Sequence, residues 1–259
     1  MDAADDDRLS DFRAVSEPEL AAIHGYFIAE GRLVVRRLLT ESPFVTRAVL
    51  VTPSALKSLE DVLPGKSDVP MYLVSPEVMS GVAGFNIHRG CLASGVRPPR
   101  GDWRTAIAGA SRLVALERVG DADNVGAIFR SAAALAADAV LLGPACADPL
   151  YRKAIRTSMG AALTLRFADA EPWPAVLGEL NSAGWVVAAL TPAAGAMPLR
   201  VFAAAARSQR VVFVVGHEGD GVSEAVFGAC THRVRIPIRE SVDSLNVAAA
   251  AAIALYELS

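Results

Sequence analysis

The chain has 259 residues, 53% of them hydrophobic, with a formal net charge of −3 and a mean hydropathy of +0.35: enough apolar material for one large domain or two modest ones, and an acidic total that counts against nucleic-acid binding by net charge alone. Three widely spaced cysteines, Cys91, Cys146 and Cys230, form neither a metal-ligand cluster nor a disulfide framework, which points to a reducing cytosol and no metal site. The acidic, polar N-terminus does not have the pattern of a secretory signal, and the longest apolar run, Val247 to Tyr256, is too short to span a bilayer.

Residues 1–25 read as a polar lead-in. Apolar positions Phe27, Ile28, Leu33, Val34, Leu38 and Leu39 recur near helical period and predict a helix through 24–41. A strand over 45–53, a helix over 54–63, a strand over 70–75 and a short helix over 76–82 follow, then a loop leading into a strand within 84–96. Such alternation predicts a small α/β unit. The Pro-, Arg- and Gly-rich stretch RPPRGDW, 97–103, has linker composition. It sets the boundary between a first domain, 1–103, and a second, 104–259.

The second domain repeats the strand–helix pattern more clearly. Strands are predicted over 112–119, 139–143, 163–168, 185–190, 210–216 and 232–238. Helices are predicted over 124–137, 149–161, 172–184, 222–230 and 246–258. Roughly six strands alternating with helices imply a mostly parallel sheet covered on both faces. Charge is uneven along the chain. Residues 149–168 carry four basic residues and no acid, 181–217 three arginines and no acid, and 88–118 six arginines against two acids. Local basic faces of this kind can bind RNA despite an acidic total.

In a parallel sheet, ligands bind beyond the carboxyl ends of the strands, and three predicted loops there carry unusual residues. In ERVGDADNVGAIFR, residues 117–130, Asn124 sits where a helix N-cap is expected, and Gly126 and Arg130 share a helix face. In VVFVVGHEGDGVSEAV, residues 211–226, three glycines in six residues follow the most apolar strand. They fit neither the dinucleotide fingerprint nor a P-loop. His217 in that loop reads as an exposed residue, with proton transfer as the rarer alternative. In IPIRESVDSLN, residues 236–246, Ser244 or Asn246 can cap the last helix, but a cap alone leaves the long polar loop unexplained.

Taken together, N-x-G-x-x-x-R (Asn124 to Arg130), G-x-E-G-x-G (Gly216 to Gly221), and Ile236-Pro237 followed by Ser244-Leu245-Asn246 and an apolar helix resemble, in this order, the motifs of the SpoU (TrmH) family of SPOUT-class RNA methyltransferases. The resemblance spans about 112–258. The stretches FIAEGRLVVRRLL and FNIHRGCLA, residues 27–39 and 85–93, resemble the small RNA substrate-binding domain often fused to these enzymes.

The resemblance implies a C-terminal trefoil knot, a fold feature that periodicity cannot show. It implies S-adenosylmethionine as cofactor, held by Gly216, Ile236 and Leu245, and a homodimer with no membrane association. The implied reaction moves a methyl group to a ribose 2′-hydroxyl of RNA, with ribosomal RNA ahead of transfer RNA. Base methylation and a catalytically silent RNA-binding protein are the alternatives. Arg130 would clamp a phosphate and stabilise developing negative charge, since arginine does not deprotonate in proteins. Asn124 would orient Arg130 or the ribose. Glu218 would hold the motif together and pair with Arg130, and Ser244 and Asn246 would hydrogen-bond within the site.

Overall fold

The computed structural model describes residues 6–13, 25–62, 68–84, 90–99, 101–239 and 241–259. The chain forms two compact units: Met1–Pro99 with Leu150–Thr164, and Arg100–Pro149 with Leu165–Ser259. The linker composition at 97–103 therefore coincides with the edge of a unit. The sequence carries no local sign, however, that Leu150–Thr164 joins the first one.

In the first unit, strands β1 (Tyr26–Glu30), β2 (Thr46–Val51), β3 (Met71–Leu73) and β4 (Cys91–Val96) form a sheet in the order β1-β4-β2-β3. β4 runs antiparallel to both β1 and β2, and β2 runs parallel to β3. The helix expected over 24–41 begins only at Arg32. Residues 26–30 are a strand buried at every position, and a short apolar run buried throughout cannot be told from a helix by period alone. Gly31, at φ 100°, makes the break. The lead-in is also less polar than expected: Asp7–Phe12 forms a 3-10 turn that buries Leu9 and Phe12 in a core with Ile28, Leu50, Met79 and Leu92. Helix Arg152–Thr157 packs against β1, and Arg37 donates to the Met159 carbonyl at 2.7 Å.

In the second unit, β5 (Arg112–Leu116), β6 (Ala139–Leu142), β7 (Arg166–Asp169), β8 (Val186–Leu190), β9 (Met197–Pro198), β10 (Val211–Val215) and β11 (His232–Arg235) form a seven-stranded sheet in the order β7-β6-β5-β10-β8-β11-β9. Every adjacent pair is parallel, as the alternating pattern predicts. Three elements lie outside the sequence expectations, the short helix Trp103–Ala106, the two-residue β9 and helix Leu199–Ala206. Alternate strand residues face opposite sides. On one side Leu113, Leu141, Val187, Val212 and Val214 meet Leu177, Leu180 and Val226 from helices Ala175–Ser182 and Glu224–Ala229. On the other, Phe213 meets Phe202 with ring centroids 5.8 Å apart, and helices Ala122–Ala134 and Val247–Leu258 pack on each other.

Because the sheet is parallel, the loops after β5, β6, β8, β10 and β11 all emerge at one end. A cavity of about 510 Å³ lined by Trp103, Trp185 and Arg210 lies at the other end, away from all three motifs. No helix among the described residues is long and apolar enough to cross a membrane.

Candidate functional site

The three motif loops meet through their side chains. Asn246 is the N-cap of the last helix, its Oδ1 accepting from the N–H groups of Ala248 at 2.9 Å and Ala249 at 3.3 Å. With that oxygen occupied, its amide donates outward, to Asn124 Oδ1 at 2.8 Å. The Asn124 amide in turn donates to Glu218 Oε1. The chain has a direction: helix N–H to Asn246 to Asn124 to a carboxylate, each group both accepting and donating until the acceptor-only Glu218 ends it. Asn124, Glu218 and Asn246, one from each motif, are thereby brought together.

Other sequence expectations are corrected. Asn124 is not a cap. Helix Ala122–Ala134 is capped by Asp121, which accepts from the Asp123 N–H at 2.9 Å. Arg130 lies exposed six residues further along that helix. Among the described residues it makes no ion pair with Glu218, whose carboxylate takes the Asn124 amide, and Asn124 has no group directed at it. Ser244 is exposed in the loop and neither caps the helix nor joins the chain.

Gly216 is buried at the end of β10, and a Cβ there would fall onto the backbone of Gly221 and Val222. Only glycine lets the loop close on itself so tightly. The closure is completed by a Gly221 N–H bond to the His217 carbonyl at 2.9 Å. His217 Nδ1 accepts from the N–H groups of Gly219 at 3.0 Å and Asp220 at 3.2 Å. The ring is therefore a turn-closing acceptor with its proton on Nε2, which favours the structural over the proton-transfer reading. Beyond β11, Ile236 is half-buried, while Val242 and Leu245 remain 49% and 36% exposed. These are apolar side chains on an otherwise polar loop.

Sequence reasoning missed a second layer behind this loop: Glu117, Arg118, Trp173 and Ser223. Arg118, held in the left-handed region at φ 56°, reaches Asp220 at 3.5 Å. Burial pushes the thiols of Cys91 and Cys230 up to about 12, so neither is a thiolate nucleophile at neutral pH.

Residues 111–256 match the SpoU rRNA Methylase family. The chain belongs to the SpoU methylase family. An uncharacterised tRNA/rRNA methyltransferase of Mycobacterium tuberculosis is 44% identical over 98% of this chain and 88% of its own length. A 23S rRNA (guanosine(2553)-2′-O)-methyltransferase of Bacillus subtilis is 25% identical over 100% of this chain and 98% of its own. Among solved structures, the SpoU methyltransferase AviRb of Streptomyces viridochromogenes, in complex with AdoMet, superposes with a TM-score of 0.81, at 22% identity, over 97% of both chains. This SpoU protein accordingly has the SPOUT fold and is an RNA methyltransferase. The tightly closed glycine loop and the uncovered apolar side chains of Val242 and Leu245 fit a molecule like the AdoMet held by AviRb, which presents a planar base beside polar groups.

Proposed function

We propose that the protein methylates a ribose 2′-hydroxyl of ribosomal RNA, with transfer RNA the second candidate. The observation that carries this reading is the hydrogen-bonded chain Asn246–Asn124–Glu218, which ties all three motifs into one site. S-adenosylmethionine supplies a methyl group already activated for transfer. Gly216, Ile236 and Leu245 hold it, the glycine through backbone and the other two through apolar contact. Arg130, exposed and without a carboxylate partner among the described residues, clamps the phosphate next to the reacting ribose and stabilises charge developing on the 2′-oxygen. The proton leaves to that phosphate or to water, because a guanidinium cannot take it. The name of the Bacillus subtilis relative supports the ribose as acceptor.

The first unit selects the RNA. Of the first unit's arginines, Arg36 pairs with Asp61 and Arg37 donates to the Met159 carbonyl. Arg32 donates to the Ser54 hydroxyl and Arg97 to the Tyr26 carbonyl. Arg89 and Arg100 lie outside the described residues. The protein acts as a cytoplasmic homodimer. The last helix leaves Ile253 36% and Tyr256 66% exposed on one face, an apolar strip suited to a second copy.

The test is nucleoside mass spectrometry of ribosomal and transfer RNA from cells with and without the gene. Loss of one 2′-O-methylnucleoside is expected. Loss of a base-methylated nucleoside would move the acceptor to the base, and no change in either RNA pool would leave a silent binder.

A further inference from the structure

We propose that Glu117 is the positioning residue of the cofactor loop, a buried carboxylate that fixes Gly216–Val222 from behind by serving three donors at once. This rests on the reading that the loop holds S-adenosylmethionine. Glu117 follows β5 directly and is 4% exposed. Its own N–H donates to the Val215 carbonyl at 2.9 Å, which places it at the end of the sheet next to Gly216. Oε1 accepts from Trp173 Nε1 at 3.0 Å and from Ser223 Oγ at 2.8 Å, and Oε2 accepts from the Ser223 N–H at 2.7 Å. No cation pairs with it among the described residues. A buried charge without a countercharge persists only where hydrogen bonds replace its water, so these three bonds are the reason it can sit there.

The consequence reaches the site through geometry. The loop begins at Gly216, fixed by β10, and ends at Ser223, which caps helix Glu224–Ala229. Pinning Ser223 to Glu117 fixes the second end, and with both ends set the tight loop presents Glu218 to Asn124. Trp173 ties a further loop to the same carboxylate. Its ring lies against Gly143, where a Cβ would meet it at 3.1 Å, so the connections after β5, β6, β7 and β10 converge on this one group.

Only a group that accepts at both oxygens and donates at neither satisfies all three donors. A glutamine in its place cannot. With its oxygen toward Trp173, its amide faces the Ser223 N–H, donor against donor. Flipped, it bonds the Ser223 N–H and hydroxyl but leaves the indole N–H facing an amide. Removing the indole donor resolves the second arrangement, which gives a double-mutant cycle with a definite sign.

The experiment measures AdoMet affinity by calorimetry on the full-length protein, well below each variant's melting temperature, together with KM for AdoMet and for RNA. Glu117→Gln should weaken AdoMet about tenfold, raising its KM while the RNA KM holds. Trp173→Phe should cost less, and the double variant should bind within about threefold of wild type. A lowered melting temperature with unchanged AdoMet affinity in Glu117→Gln would make Glu117 merely structural and overturn the proposal, as would a double variant no better than Glu117→Gln. Gly216→Ala separates the two readings: if it weakens AdoMet while Glu117→Gln does not, the cofactor loop stands and the role of Glu117 falls. If neither variant changes affinity, both fall. Should Glu117→Gln not fold, Ser223→Ala carries the test, and unchanged AdoMet affinity there refutes the proposal.

Discussion

Replacing Asn246 by aspartate keeps the helix cap and breaks only the direction of the hydrogen-bonded chain. Aspartate caps as well as asparagine, and its charge at a helix N-terminus gains about 0.3–1 kcal/mol. The loss is on the other side, where the Asn246 amide donates to Asn124 Oδ1 at 2.8 Å. With a carboxylate in its place that contact becomes oxygen against oxygen. If the Asn124 amide flips to repair it, its oxygen turns toward the Glu218 carboxylate instead. Either way one hydrogen bond is lost and two acceptor oxygens are left facing each other, about 1–3 kcal/mol, so the net cost is about 1–2 kcal/mol after the gain at the helix end. For a chain of this size that is a fall in melting temperature of about 2–8 °C. Adding Glu218→Gln should restore it, because the chain can then run backwards, from the new glutamine amide to Asn124 and on to the new aspartate. Glu218→Gln alone should be nearly neutral, since its carbonyl still accepts from Asn124. Thermal unfolding of the two single variants, the double variant and wild type measures this. An Asn246→Asp penalty of the same size in both backgrounds would refute the directional chain.

Arg130→Ala should cut methyl transfer about a hundredfold or more with AdoMet affinity unchanged, and Arg130→Lys should fail substantially because an ammonium lacks the two-pronged contact; near wild-type transfer of labelled methyl to RNA by Arg130→Ala would remove Arg130 from the mechanism. Gly216→Val must push Gly221 and Val222 aside, so AdoMet binding should be lost while circular dichroism still reports the α/β fold; unchanged affinity by calorimetry would contradict the loop assignment. Asp138 is pushed upward by burial, but hydrogen bonds from the N–H groups of Ser111 and Arg112 and the Ser111 hydroxyl outweigh this and hold it below its usual value of 3.8. A depressed folded value means its stabilisation is complete above about pH 4 and fades as the pH falls through that lower value, so Asp138→Asn should flatten the acid limb of a melting-temperature profile, and parallel curves would show the site to be silent. Tyr256→Glu should shift the particle mass by light scattering from two copies towards one, and an unchanged mass would move the dimer contact elsewhere.

What the sequence made legible was whatever is local and repeated. The strand β10 is five apolar residues stopped by glycine, and its place in a parallel sheet follows from the alternation around it. Helix Leu199–Ala206 buries Leu199, Phe202, Ala203 and Ala206, a helical spacing readable in principle but hidden among neighbouring Ala and Pro residues. β9 has two residues, too few for any period. At the site, GDADN offers three capping residues within four positions, Asp121, Asp123 and Asn124, and local rules could not choose Asp121 over Asn124. Glu117 illustrates the harder limit. An acid after a strand reads as a solvated strand end, and the donors that make it a buried anchor come from Trp173 and Ser223, 56 and 106 residues later. Leu150–Thr164 is similar: its partners lie in the first unit, and nothing within the segment names them.

The motif residues divide according to whether the fold satisfies them. Asn124, Asn246 and Glu218 are bonded to one another, and Gly216 is packed against its own loop. Their hydrogen-bonding capacity or space is largely committed before any ligand arrives. Arg130, Ser244, Leu245 and Val242 are exposed and, among the described residues, have no side-chain hydrogen bond or ion pair. The packing requires neither the exposed guanidinium nor the two uncovered apolar side chains, so ligand contact is the role the structure leaves open for them. The two groups should therefore respond differently to substitution. Changes in the bonded group should alter the shape of the site and, at the glycine loop, be felt first in cofactor affinity. On the proposed reading, changes in the exposed group should act on a single ligand: Leu245 on the cofactor, Arg130 on the RNA.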